Sequence, residues 1–169
     1  MMHDLERPPL TASRAMLLGT LTVGSLDLLD AIIFFHLRGV APIRILQSIA
    51  SGLLGKGAFE GGAATAILGT ALHFFIAWMV VLTYYLASRR LPLMVNSPWV
   101  CGPVYGLLVY AVMNLIVVPL SRANHASPST PVLINGLLIH ALGVGLPSAL
   151  FARVTRSTDS TGLTTQRIA

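Results

Sequence analysis

The chain has 169 residues, of which 54% are hydrophobic and only 10% are Asp, Glu, Lys or Arg; a soluble domain carries about 25% charged residues, so this one lacks the polar groups to cover a water-facing surface. Mean hydropathy of +0.77 agrees, and because a spanning helix needs about 20 residues, there is space for about four spans and none for a large extramembrane catalytic domain. A net charge of +5 in so apolar a chain reads as basic loops meeting anionic lipid, and no nucleic-acid partner is expected.

In chain order, residues 1–14 form a polar tail containing His3, Asp4, Glu6, Pro8 and Pro9. It lacks the basic start and small-residue cleavage site of a signal peptide, so the apolar run 15–37 is expected to be retained as the first span. Within the loop that follows, Pro42 suits a first helical position. Ile43, Leu46, Ile49, Ala50, Leu53 and Leu54 then share one face, and Arg44, Gln47, Ser48 and Ser51 the other. This predicts a short amphipathic helix over 43–54 lying in the membrane interface, with a re-entrant segment as the alternative. Gly52, Gly55, Gly57, Gly61 and Gly62 predict a flexible turn into the second span.

The second, third and fourth apolar runs are 61–86, 100–120 and 132–151. They are continuous rather than alternating and too long for barrel strands, so the expected fold is an all-α membrane protein, a four-transmembrane-helix bundle. Cys101 is the sole cysteine, which excludes an internal disulfide and any CxxC site. Residues 121–131, with Pro128 and Pro131, read as an ordinary loop, and 152–169 as a polar, unstructured tail. Trp99, Tyr84, Tyr85 and Tyr105 lie near span ends, as an aromatic belt requires.

Orientation follows from the basic residues. Arg7, Arg14, Arg89, Arg90, Arg153, Arg156 and Arg167 fall on one side, against Arg38, Arg44, Lys56 and Arg122 on the other. The positive-inside rule then places both termini of a multi-pass membrane protein in the cytoplasm. Gly69-x-x-x-His73 in span two recurs as Gly136-x-x-x-His140 in span four, the trace that two parallel-repeat hairpins would leave.

Polar side chains inside hydrocarbon are the most informative feature. A charged group there costs about 2.5–3.5 kcal/mol on insertion scales, so such groups turn toward protein or a wet cavity. Asp27 and Asp30 lie in span one, His73 in span two, Asn114 in span three and His140 in span four, with Glu60 at the mouth of span two. Small residues mark close helix contact in membranes. Thr20, Gly24, Asp27 and Ala31 share a stripe, as do Gly62, Ala66, Gly69, Thr70, His73 and Ala77. The same holds for Gly106, Tyr110 and Asn114, and for Gly136, His140, Gly143 and Pro147. In every span the costly polar residue rides on the small-residue stripe. With Asn135 entering from the outer surface, the set is expected to converge on one chamber between midplane and outer face. Pro147 frees the carbonyl of Gly143 and is expected to kink span four.

Three readings of such a chamber stand open. In one, Asp27, Asp30, Glu60, His73, Asn114 and His140 form a titratable site that assists movement of protons, cations or small solutes, since histidine titrates near neutrality; a bundle this narrow would then work as a homodimer or larger assembly. In another, the protein is a structural or accessory subunit whose polar groups only fix packing, at about 0.6 kcal/mol per interhelical hydrogen bond. In the third, His73 and His140 are axial haem ligands, or bind a divalent metal with Asp27 and Asp30, although the spacing has no metal signature. No P-loop, GxSxG or HExxH pattern occurs. Neither an enzymatic reaction nor a resident cofactor is expected.

The pattern from Ala71-Leu72-His73-Phe74-Phe75 through Tyr84-Tyr85 to the Gly136–His140 segment resembles the YagU-like group of small bacterial inner-membrane proteins. That resemblance covers about half of the chain. It implies a multi-span membrane protein with no assigned reaction, and a link to acid tolerance. Asp27 and Asp30 have no match in that group, and no functional residue carries over.

Overall fold

Thr11 opens the first helix by accepting a hydrogen bond from the backbone N–H of Arg14, the usual means of satisfying a free N-terminal donor. A computed structural model describes residues 11–124 and 127–165, with side chains through Thr155; within them all regular structure is helical. His3, Asp4, Glu6, Arg7, Pro8, Pro9, His125 and Arg167, to which the sequence assigned tail and loop positions, lie outside the described residues.

Helix α1 is Ala12–His36, α2 is Pro42–Leu54 and α3 is Gly62–Arg90, with a 3-10 turn at Gly55–Phe59 before α3. A short α4 (Leu93–Asn96) leads to α5 (Pro98–Val112), which continues through a π turn into α6 (Val118–Leu120). Helix α7 (Thr130–Ile139) likewise continues through a π turn into α8 (Leu146–Thr165). Gly39, Gly55 and Gly62 have positive φ and turn the chain where a side chain would be strained. Four helical stretches, Ala12–His36, Gly62–Arg90, Pro98–Leu120 and Thr130–Thr155, are long and apolar enough to cross a membrane by length and composition. They lie within a few residues of the apolar runs. The unstructured tail expected from 152 is not found: α8 runs on to Thr165, since neither glycine nor proline interrupts the chain between Ser148 and Ser160.

Both π turns have the same local origin. Met113–Val117 ends two residues before Pro119, and His140–Gly145 ends two before Pro147. Proline has no N–H and its ring crowds the carbonyl four residues back. The preceding turn widens in response: Val118 N–H bonds the carbonyl of Met113, and Leu146 N–H that of Ala141. The kink expected at Pro147 therefore takes the form of a π turn beginning at His140.

Small residues let the helices approach. A Cβ on Gly106 would strike the carbonyl of His140, and one on Gly145 the carbonyl of Gly102, so α5 crosses the π turn of the fourth span backbone to backbone. The first span packs on the second and fourth, and the third lies against the fourth. One apolar cluster, Val23, Ala77, Val81 and Val144, sits at the centre of the bundle. A second, Tyr84, Ala149 and Ala152, lies toward the end that carries α4. Tyr84 and Tyr105 donate to the carbonyls of Met94 and Val80 there. Outward, Leu17, Leu29, Ile33, Ile67, Leu115 and Leu120 are exposed, an apolar exterior suited to hydrocarbon.

Helix α2 forms where its periodicity predicts, but its exposure does not divide along the polar and apolar faces. Gln47 and Ser51 are only 3% and 5% exposed and Ala50 is fully buried, whereas Arg44 and Ser48 of the polar face and Ile43, Leu53 and Leu54 of the apolar face are open. Gln47 donates to the carbonyl of Gly62 at 3.1 Å and to Thr65 Oγ1 at 3.4 Å. Gly69 of α3 has no room for a Cβ beneath the Leu46 carbonyl. At the other end of α2, the Gly52 carbonyl accepts from Arg122 N–H at 2.9 Å. Helix α2 is thereby held along the bundle and tied to the loop between the third and fourth spans.

Candidate functional site

A cavity of about 410 Å³ lies between α1, α2, α3, α5 and α7. Most of its wall is apolar, with Phe34, Phe35, Ile45, Ile49, Met113 and Val132 among the lining residues. Its polar lining comes from separate helices: Asp27 and Asp30 from α1, His73 from α3, Tyr110 from α5, Asn114 from the first π turn, Asn135 from α7 and His140 from the second π turn. Ser48 of α2 also contributes, which makes α2 a side wall. Val23, Ala77 and Val144 of the central apolar cluster line the cavity as well. They form its floor on the side toward α4.

Five of the six residues singled out from the sequence, Asp27, Asp30, His73, Asn114 and His140, therefore share one cavity. Glu60 does not line it; its side chain is exposed beyond the 3-10 turn, whose C-cap it forms. Proximity to the mouth of span two said nothing about which way the turn would point it.

The polar groups other than Asp27 are attached separately. Asn135 Nδ2 donates to Asp30 Oδ2 at 2.6 Å. His140 Nδ1 bonds the carbonyl of Gly136 at 2.9 Å and lies 3.8 Å from Asp27 Oδ1. His73 Nε2 bonds the carbonyl of Gly24 on α1 at 2.8 Å, and Asn114 Nδ2 donates to the Tyr110 carbonyl at 2.9 Å. A carbonyl can only accept, so His73 carries its hydrogen on Nε2 and His140 on Nδ1. In their neutral forms His73 Nδ1 and His140 Nε2 are then acceptors. Tyr110 packs edge to face on the His140 ring, at 5.2 Å between centroids.

The two Gly-x-x-x-His segments serve different ends. Gly69 makes room for the backbone of α2, while Gly136 makes room for the Tyr110 ring. His73 reaches across to another helix, whereas His140 bonds within its own. The pairing of Asp30 with Asn135 and of His73 with the Gly24 carbonyl was not foreseen. Gly24 did appear in the small-residue stripe, and a carbonyl left accessible by a glycine was the available signal.

The metal reading meets a different arrangement. Among the described residues, no group of three or more His, Cys, Asp or Glu side chains is placed to hold a metal ion. One nitrogen of each histidine is already committed to a backbone carbonyl. Comparison with protein-family models, curated proteins and solved structures found no match, so the YagU-like resemblance rests on its motifs alone.

Proposed function

We propose that the chain is a multi-pass protein of the bacterial inner membrane whose Asp/His chamber takes up protons, cations or small solutes and assists their movement across the bilayer. The observation that carries this reading is the convergence of Asp27, Asp30, His73 and His140, from three spans, on one cavity. Groups this costly in hydrocarbon are retained where they serve an ion or substrate path. The excess of Arg on one side supports cytoplasmic termini, which makes the α2 end of the cavity the outer one. The exposed Leu53 and Leu54 and the buried Gln47 and Ser51 support an α2 that lies against the bundle in hydrocarbon rather than flat in the interface. A bundle of four spans is expected to act as a homodimer or larger assembly.

The Asn135–Asp30 and His73–Gly24 bonds, which join helices, favour a second reading, a structural or accessory subunit. The paired substitution Asp27→Asn and Asp30→Asn preserves shape while removing charge. In proteoliposomes, proton or cation flux should fall at least tenfold in this variant. Unchanged flux with reduced thermal stability would sink the transport reading and favour the structural one.

A further inference from the structure

The cavity is one-sided in its hydrogen-bonding chemistry. Both imidazoles and both amides place one donor on the protein: His73 Nε2 on Gly24, His140 Nδ1 on Gly136, Asn114 Nδ2 on Tyr110 and Asn135 Nδ2 on Asp30. What remains is one N–H on each amide and the Tyr110 hydroxyl, outnumbered by acceptors: the Asp27 carboxylate, the second imidazole nitrogens and the amide oxygens. Asp27 is the extreme case. His140 Nδ1 lies 3.8 Å from it, beyond hydrogen-bond length, and the Asp27 side chain, 25% exposed, lines the cavity.

No basic side chain among the described residues compensates the two carboxylates. Arg38, one turn beyond the cavity, donates to the Phe34 carbonyl at 2.8 Å and lies over the Phe34 ring. Arg44 is engaged with Phe59 in the same two ways. A partly buried carboxylate with neither a cation nor a hydrogen bond is costly, and an arriving cationic donor would relieve that cost.

Size and wall chemistry narrow the cation. A calcium ion takes six to eight oxygens and a zinc site three or four protein ligands, and among the described residues no three acidic, imidazole or thiol groups are placed to hold an ion. A volume of about 410 Å³ belongs to the range of small organic ligands. Phe34, Phe35, Ile45 and Ile49 offer apolar surface for a hydrocarbon body, while Tyr110 and Phe35 offer ring faces that attract cations.

We infer that the cavity binds a small amphipathic organic ammonium, its N–H donors on Asp27 and the His140 Nε2 and its hydrocarbon body against Phe34, Phe35 and the α2 wall. This rests on the acid–histidine chamber being the functional site, and it names the class of solute that chamber takes.

The test uses the full chain in lipid nanodiscs, with empty nanodiscs subtracting partition into lipid. Binding of 4-phenylbutylammonium is compared by calorimetry with 4-phenylbutanol, 4-phenylbutyrate, the N,N,N-trimethyl analogue and sodium ion. The primary ammonium should bind at least tenfold more tightly than the alcohol and the carboxylate, and more tightly than the trimethyl analogue, which has no N–H to donate. Asp27→Asn should weaken it at least tenfold, whereas Glu60→Gln should leave it unchanged. Equal binding of the alcohol and the ammonium would overturn the inference on the unaltered protein, whatever the variants do. Sodium binding lost in Asp27→Asn, with no ammonium binding, would overturn the solute class and leave the cation-transport reading standing. Ammonium binding with unchanged flux in the Asp27→Asn, Asp30→Asn variant would uphold the class while removing transport.

Discussion

Asn135 donates from Nδ2 to Asp30 Oδ2 at 2.6 Å, fastening an amide of the fourth span to a carboxylate of the first in the wall of a shared cavity. Each residue makes the other tolerable, since a carboxylate in an apolar setting needs a donor. Asn135→Leu removes that donor and leaves the carboxylate behind, so unfolding in detergent should show a loss of about 1–2 kcal/mol. Asp30→Asn, which leaves an acceptor oxygen for the Asn135 amide, should cost less. Equal losses would show that a neutral amide pair is no substitute for the charged bond.

Gly106 meets the fourth span where no side chain fits, because its Cβ position is taken by the His140 carbonyl. Gly106→Ala should destabilise the bundle by about 1–3 kcal/mol, the usual cost of overpacking. It should also displace the turn that carries His140. Gly57→Ala is the control: nothing lies within 4 Å of its Cβ position, and its effect should stay within about 0.5 kcal/mol. Thermal unfolding of the two variants side by side decides the matter.

Gln47 anchors α2 to the start of α3 through the Gly62 carbonyl and the Thr65 hydroxyl. Losing a largely buried pair of such bonds costs about 1–2 kcal/mol, and the cost should be local, since α2 is flanked by turns at Gly39 and Gly55. With Ser48→Cys as reporter in the cavity wall, Gln47→Ala should raise the rate of maleimide labelling several-fold. Global unfolding should move little. An unchanged rate would mean that the Arg122–Gly52 tie and the Gly69 contact hold α2 without Gln47.

The long helices were legible because runs such as 61–86 are continuously apolar, and the helices ended close to where polarity returned. Convergence of Asp27, His73 and His140 was legible for a physical reason too: small residues mark where helices touch, and those residues sit on the small stripes. Facing was harder to read. The period of α2 separates Gln47 and Ser51 from Leu53 and Leu54 but does not say which set meets protein, because that depends on whether water or hydrocarbon lies beyond. Glu60 was misplaced because a 3-10 turn, set by Gly55 and Gly57, precedes it and has no apolar stripe to orient it. The Gly102-x-x-x-Gly106 contact was written in the chain as a small-residue pair. Its counterpart, Gly145, lies on a π turn whose register no α-helical wheel reproduces.

That π turn joins two things that otherwise look separate. His140, whose imidazole faces Asp27, opens it, and Val144, which helps close the floor of the cavity, lies near its end. A widened turn holds one more residue than an α-turn of the same span, a spare that can migrate along the helix as a crease does along a ribbon. Any such slip would swing the imidazole and the Val144 side chain together. The residue that faces the acid and the residue that helps close the floor are thus tied to one backbone crease, seated just before Pro147.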